Sequence, residues 1–269
     1  MAASPISMAW RKCGALILGC AVVSIAVARG QDVPARLVYE VVSVRPSAPG
    51  APEGQVDSLP GGLGYNAERI TVKDMLAVMY RIPYRQIVGG PEWLGSEKFD
   101  VLARADRPYS IDELHIMFQN LLADRFNLKL HKQIKVGPVY VLKVAKTGTK
   151  MTSVDAGKDR HNPVTSGANY EVIGDRVPMN YFCFWLGQNL QNDQRPVVDR
   201  TGLTGTYDFK MTFRPQLPPD VSADGMSPEM QNLPSIFEAL KEQLGLELTA
   251  QKGPVETLVI DSVQKPSGN

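Results

Sequence analysis

The first regular pattern in the chain is an alternation. In "LVYEVVSVRPS" (37–47) apolar and polar positions exchange every second residue, the period of a strand with one wet face, and Pro46 closes it. Gly and Pro then crowd "APGAPEGQVDSLPGGLG" (48–64), which predicts an exposed loop. In "TVKDMLAVMYRI" (71–82) the period lengthens to that of a helix. Met75, Leu76, Met79 and Ile82 share one face, Thr71 and Asp74 have capping-box spacing, and Pro83 stops the run. "YRQIVGGPEWLGSEKFDVLARA" (84–105) predicts strand, turn and strand, with Gly89 and Gly90 supplying positive φ in the turn. Ser110 and Glu113 open a second helix with an apolar stripe of Leu114, Met117, Phe118, Leu121 and Leu122. "FNLKLHKQ" and "PVYVLKVAK" alternate and predict a hairpin turning near Val136-Gly137-Pro138.

After a polar, aperiodic stretch (147–167) the same order returns. "YEVIGDRVPMNYFCFWLGQNL" parallels "YNAERITVKDMLAVMYRI", and "RPVVDRTGLTGTYDFKMTFRP" parallels the Gly-Gly-Pro turn and its strand. Ser235 and Glu238 repeat the capping signal, and "EQLGLELTAQKGPVETLVIDSV" parallels "LLADRFNLKLHKQIKVGPVYVLKVA". Leu94 matches Leu203, Gly95 matches Gly205, Phe99 matches Tyr207 and Asp100 matches Asp208. Four matches in one order predict an α+β protein with an internal duplication. Each half should run strand-helix-strand-strand-helix-strand-strand in mostly antiparallel sheet, with amphipathic helices on one face. The expected boundaries are 29–146 for the first half, with an added N-terminal strand near residue 40, 147–167 for a linker, and 168–269 for the second half.

Residues 1–28 have a different character. Arg11 and Lys12 precede an apolar run that ends in Ala26-Val27-Ala28, the pattern of a secretory signal cleaved before Arg29. Two alternatives stay open: lipoprotein processing at Cys20, within Ile17-Leu18-Gly19-Cys20, and an uncleaved anchor with a run shorter than the ~20 residues a bilayer requires. Export to the periplasm or beyond is the expectation, with no membrane span once the signal is removed. Of the 29 basic residues, only Arg11 and Lys12 fall in this segment and none of the 28 acids does, so 27 basic residues face 28 acidic ones afterwards. A net charge of −1 supplies no basic face for a phosphate backbone, which argues against nucleic-acid binding.

Candidate chemistry is sparse. His115, His131 and His161 have no partner at metal-ligand spacing, and the chain lacks HExxH and CxxC, so neither a metal nor another cofactor is expected. Cys183 is the sole cysteine past the leader and sits in apolar "NYFCFWLGQ", which suits a core position better than a nucleophile. There is no G-x-S-x-G elbow. Asp100 and Asp208, at matching places, suit acceptors for turn amides better than a hydrolytic pair. "PGGLG" and "VGGP" lack the spacing of nucleotide loops. The residues that look most like a binding site are Trp93, Arg195, Asp199 and Arg200, although a Trp in a Gly/Pro turn more simply pins that turn to the core.

"GGPEWLGSEKFDVLARA", "LLADRFNLKLH", "VVDRTGLTGTYDF" and "KGPVETLVIDSVQKPS" together resemble a secreted acidobacterial family, domain-of-unknown-function family 3738, from about Val38 to the C-terminus. The resemblance implies export and carries no established activity. Some relatives look like the outer part of BlaR-type sensors, which implies sensing, but this sequence has neither the transmembrane bundle nor the metalloprotease helix of those proteins. The strand-helix-strand segment around "MLAVMYRIPYRQIVG" is also similar to the short N-terminal domains of secretins and TonB-dependent receptors, an analogy of fold alone.

Two functional expectations follow. The first is an exported, non-catalytic binding or sensing module of the cell envelope whose partner is an envelope protein, a peptide or a glycan. The alternative is an exported hydrolase acting on polysaccharide or peptide through Asp100, Asp199 or Asp208.

Overall fold

Alternation builds the strands and side-chain caps start most of the helices of the computed structural model, which describes residues 36–50, 52, 54–155, 163–190, 195–214 and 227–266. The leader expected at 1–28, with Cys20, and His161 lie outside the described residues. The elements of the first half are β1 (Val41–Pro46), β2 (Gln55–Ser58), β3 (Gly64–Thr71), α1 (Val72–Tyr80), β4 (Ile87–Gly89), β5 (Lys98–Arg104), α2 (Ile111–Arg125) and β6 (Lys129–Val144). There follow β7 (Thr152–Val154), β8 (Val164–Ser166), β9 (Glu171–Pro178), α3 (Met179–Asn189), β10 (Val197–Asp199), β11 (Thr206–Thr212), α4 (Pro228–Gln231), α5 (Ile236–Ala239) and β12 (Leu246–Ser262).

Capping places the helix starts where the sequence signals stand. Thr71 Oγ1 accepts the amide of Asp74 at 3.1 Å ahead of α1. Ser110 with Glu113, and Ser235 with Glu238, form reciprocal capping boxes ahead of α2 and α5. Each satisfies amides that the first helical turn leaves without partners.

The fold is α+β, with three four-stranded sheets ordered β1-β5-β3-β2, β7-β11-β9-β8 and β10-β6-β12-β4. Among the described residues only the short β4 and β10 pair in parallel fashion, with β12 and β6 respectively. In β5 the buried file Phe99, Val101 and Ala103 belongs to the same core cluster as Met75 and Leu76 of α1 and Met117 and Phe118 of α2. In β11 the buried Tyr207, Phe209 and Met211 join Phe182 and Leu186 of α3 and Leu240 and Leu244 after α5.

Three expectations change. Residues 147–167, expected as a linker, contribute β7 and β8, which pair with β11 and β9 as the edges of a sheet. Their brevity, three residues each, gave alternation too few positions to be read. The N-terminal strand, expected as an addition, occupies in its sheet the place that β7 occupies in the other: β1 flanks β5 as β7 flanks β11.

The expected hairpin at Val136-Gly137-Pro138 is instead one unbroken 16-residue strand, β6, paired antiparallel with β12 from Leu246 to Ser262. Gly137 lies opposite Gly253, with Pro138 opposite Lys252 and Pro254 opposite Val136. A Cβ at Gly137 would stand 2.9 Å from Val255 Cγ2, and one at Gly253 would stand 2.9 Å from Val139 Cγ2. These glycines therefore serve a close approach between strands and not a turn. The consequence is an exchange. β6 leaves the first core past Leu128 and delivers Tyr140 and Leu142 to the second; β12 leaves the second core past Leu246 and Leu248 and delivers Leu258 and Ile260 to the first. Each fully buried aliphatic contributes roughly 1.5–3 kcal/mol, so each core is closed by side chains from the other half. Residues Leu37–Asn269 accordingly form one compact unit.

Candidate functional site

The carboxylates at matching positions perform matching backbone work. β3 and β9 each carry a bulge in which an arginine adopts a left-handed conformation: Arg69 at φ 54° against β5 and Arg176 at φ 50° against β11. Asp100 Oδ1 accepts the Arg69 amide at 3.0 Å and the Ser47 hydroxyl at 2.7 Å. Asp208 Oδ1 accepts the Arg176 amide at 2.7 Å. Positive φ is costly for a side-chain-bearing residue, and the charge-assisted hydrogen bond offsets that cost. Partial burial works against ionisation of Asp100, but the Ser47 and Arg69 hydrogen bonds and the nearby Arg45 outweigh it and hold the carboxyl below its usual range.

Asp199 is also committed locally. Its Oδ1 accepts the Thr201 amide at 2.8 Å and the Thr201 hydroxyl at 2.7 Å, closing the turn before Gly202. Arg200 is exposed, and its amide extends the β10–β6 ladder to Leu142 O at 2.9 Å. The Arg195 guanidinium lies 5.4 Å from the centre of the Tyr140 ring. These three residues flank one short strand at the second core. Trp93 belongs to the first core, where it stacks on Phe126 at 6.4 Å, meets Phe99 edge-on at 6.2 Å and is capped by Lys265 Nζ at 5.8 Å. The structure thus pins the Trp93 turn to the core and does not bring Trp93 together with Arg195, Asp199 and Arg200.

Two concavities lie elsewhere. One is an open groove of about 560 Å³ beside α3, lined by Trp185, Asn189 and Phe213 and by the β8–β9 turn with Asn169, Tyr170 and Glu171. Trp185 is held in place by the parallel Phe182 ring at 6.1 Å and by the edge of Phe213 at 6.1 Å. Asn189 Nδ2 donates to Trp185 O at 2.8 Å. The turn is closed by Gly167 N–H to Glu171 O at 2.8 Å and Glu171 N–H to Ala168 O at 3.1 Å, with Asn169 and Tyr170 both left-handed. Sequence reasoning missed this groove because "YFCFWLGQ" reads as a core helix. The one available signal was Trp185 four positions before Asn189, which places an aromatic and an amide on one helical face.

The other is a cavity of about 190 Å³ where the halves meet, bounded by Arg81 to Gln86, by α3 and by Pro254 and Glu256 of β12. Arg81 ends α1 in a left-handed conformation at φ 51° and donates from Nη2 to Asp112 Oδ1 at 2.6 Å, with its guanidinium 5.8 Å from the Tyr181 ring centre. Its Nε is buried and has no hydrogen-bond partner among the described residues. The His115 ring meets Tyr65 nearby at a tilt, 5.8 Å between centres; burial, then the charge of Arg81, push its pKa down to about 4. Burial, then the charge of Asp199, push the Cys183 thiol up to about 12, so at neutral pH it is a protonated core group and not a nucleophile.

Among the described residues, no three His, Cys, Asp or Glu side chains are grouped to hold a metal, and no helix is long and apolar enough to cross a membrane. Residues 73–263 match the model of the family described as "Protein of unknown function (DUF3738)". The chain belongs to this family. No curated protein and no solved structure matches it.

Proposed function

We propose that the protein is an exported, non-catalytic binding or sensing module that takes its ligand in the groove beside Trp185. The observation that carries this reading is the groove itself, an open concavity of ligand size lined by both aromatic and hydrogen-bonding side chains. The commitment of Asp100, Asp199 and Asp208 to backbone amides supports binding over hydrolysis. Export rests on Arg11, Lys12, the apolar run after them and Ala26-Val27-Ala28, with Cys20 as the alternative processing site. The partner lies in the envelope, as a protein, a peptide or a glycan.

We also propose that the halves descend from one duplicated unit. Support comes from the matched strand orders β1-β5-β3-β2 and β7-β11-β9-β8 and from the paired bulges at Arg69 and Arg176.

The binding reading is tested by thermal unfolding of the intact chain in the presence of peptide, glycan and small-molecule panels. A ligand at 100 times its Kd adds about 2.7 kcal/mol, and the resulting rise in Tm should vanish in Asn189→Ala. Chemical conversion of a ligand that is abolished by Asp100→Asn, Asp199→Asn or Asp208→Asn would replace this reading with the hydrolytic one.

A further inference from the structure

We infer that the groove beside Trp185 takes a neutral or amino-bearing oligosaccharide, an inference that rests on reading this groove as the ligand site.

The chemistry of the walls selects the ligand class. Trp185 and Tyr170 present apolar ring surface, with Tyr170 37% exposed at the rim and the buried Phe213 behind Trp185. A pyranose ring offers such surface the C–H groups of its own flat face while its hydroxyls point outward in the ring plane. Those hydroxyls are simultaneous donors and acceptors. They match an amide, which is both, and a carboxylate, which accepts a pair of them. Asn169, Asn189 and Glu171 supply these partners around the aromatic surface.

Charge narrows the class further. Two carboxylates, Glu171 and Glu229, line the groove, and among the described residues no lysine, arginine or histidine does. The Lys210 ammonium stands 3.6 Å from Glu171 Oε1 and offsets only part of this charge. Phosphates, sulfates and uronates would enter an uncompensated negative field, whereas neutral sugars and protonated amino sugars would not. Two of the groove's side chains are also preorganised: Trp185 is fixed by Phe182 and Phe213, and Asn189 by the Trp185 carbonyl. Little side-chain entropy is then lost on binding.

The test is calorimetric titration of the intact chain with N-acetylglucosamine tetramer and with cellotetraose, alongside trigalacturonate and tetralysine as charge controls. The expected result is saturable binding of at least one neutral tetramer, weakened about tenfold or more by Tyr170→Ala and by Asn189→Ala, with trigalacturonate weaker by a similar factor. Both exchanges lie at exposed or end-of-helix positions, and unchanged circular dichroism verifies their folds. Absence of heat with both neutral tetramers at millimolar concentration overturns the inference, as does binding indifferent to both variants or equally tight trigalacturonate. If tetralysine binds instead and loses affinity in the same variants, the oligosaccharide assignment falls while the groove remains the ligand site. If a bound tetramer is converted to shorter sugars, the assignment stands and the non-catalytic reading falls.

Discussion

Asp100 and Arg69 are joined across neighbouring strands by a hydrogen bond from the arginine's backbone amide to the carboxylate, 3.0 Å long, at the point where β3 bulges. The bond makes the left-handed conformation of Arg69 tolerable, and Asp208 repeats it for Arg176. Removing the acceptor should leave a strained bulge with an unsatisfied amide. Asp100→Ala is expected to cost about 1–3 kcal/mol in urea unfolding at pH 7, and Asp100→Asn, which keeps an acceptor, should cost less. The carboxyl titrates below its usual range in the fold, so its contribution is complete above the ordinary carboxylate pKa and is lost as pH falls through the lower folded value. Asp100→Ala should lack that loss.

His115 makes a second pH dependence, in a different window. Its folded pKa of about 4 lies below the ordinary 6.5, so between these values the unfolded chain takes up a proton that the folded chain refuses. Stability from this group is complete above pH 6.5 and falls as pH drops toward 4, by an amount on the order of 3 kcal/mol for a shift of this size. Unfolding midpoints measured at half-unit steps from pH 7.5 to 4 should show a shallower slope in His115→Leu than in the unaltered chain. An unchanged slope would place the titration elsewhere.

Gly174 and Phe209 form a size-matched pair where the first half has Ala67 and Val101. A Cβ on Gly174 would stand 2.3 Å from the Phe209 ring. Gly174→Ala is expected to cost roughly 1–3 kcal/mol through overpacking, and Phe209→Val a similar amount through the space it leaves. Combined, they recreate the Ala67–Val101 pair, so the double variant should be at least about 1 kcal/mol more stable than the sum of the single losses predicts.

Cys183 should be inert in the folded chain. Its thiol is buried and its pKa is pushed up to about 12. Peptide mapping after iodoacetamide treatment at pH 8 is expected to find Cys183 unmodified in native protein and fully modified in 6 M guanidinium chloride. Rapid native modification would refute its place in the second core.

Periodicity and capping were legible wherever a segment answers to its own neighbours. The faces of α1 and α2, the starts at Thr71, Ser110 and Ser235, and the positive φ of Gly89 and Gly90 all follow from interactions within a few residues. Asp100 and Asp208 were legible as acceptors of backbone amides, but those amides belong to bulges in a neighbouring strand, 31 and 32 residues away in sequence, and not to the turns beside them. The candidate site was read less well. Trp93 stood out because it interrupts a turn, yet its surroundings are Phe99 and Phe126, while Trp185 passed for a core residue inside a helix that has one open side.

By itself, then, the sequence determined the α+β class, the core faces of α1 and α2 and the starts of the capped helices, because these rest on short-range spacing. Tertiary structure alone decided that Gly137 and Gly253 meet mid-strand, that β6 and β12 exchange between the cores, and that Trp185 borders a groove. Glycine followed by proline satisfies both a turn and a crowded crossing, and a local pattern cannot distinguish them. What distinguishes them is a facing strand more than a hundred residues away, whose Val139 and Val255 leave no room for a side chain.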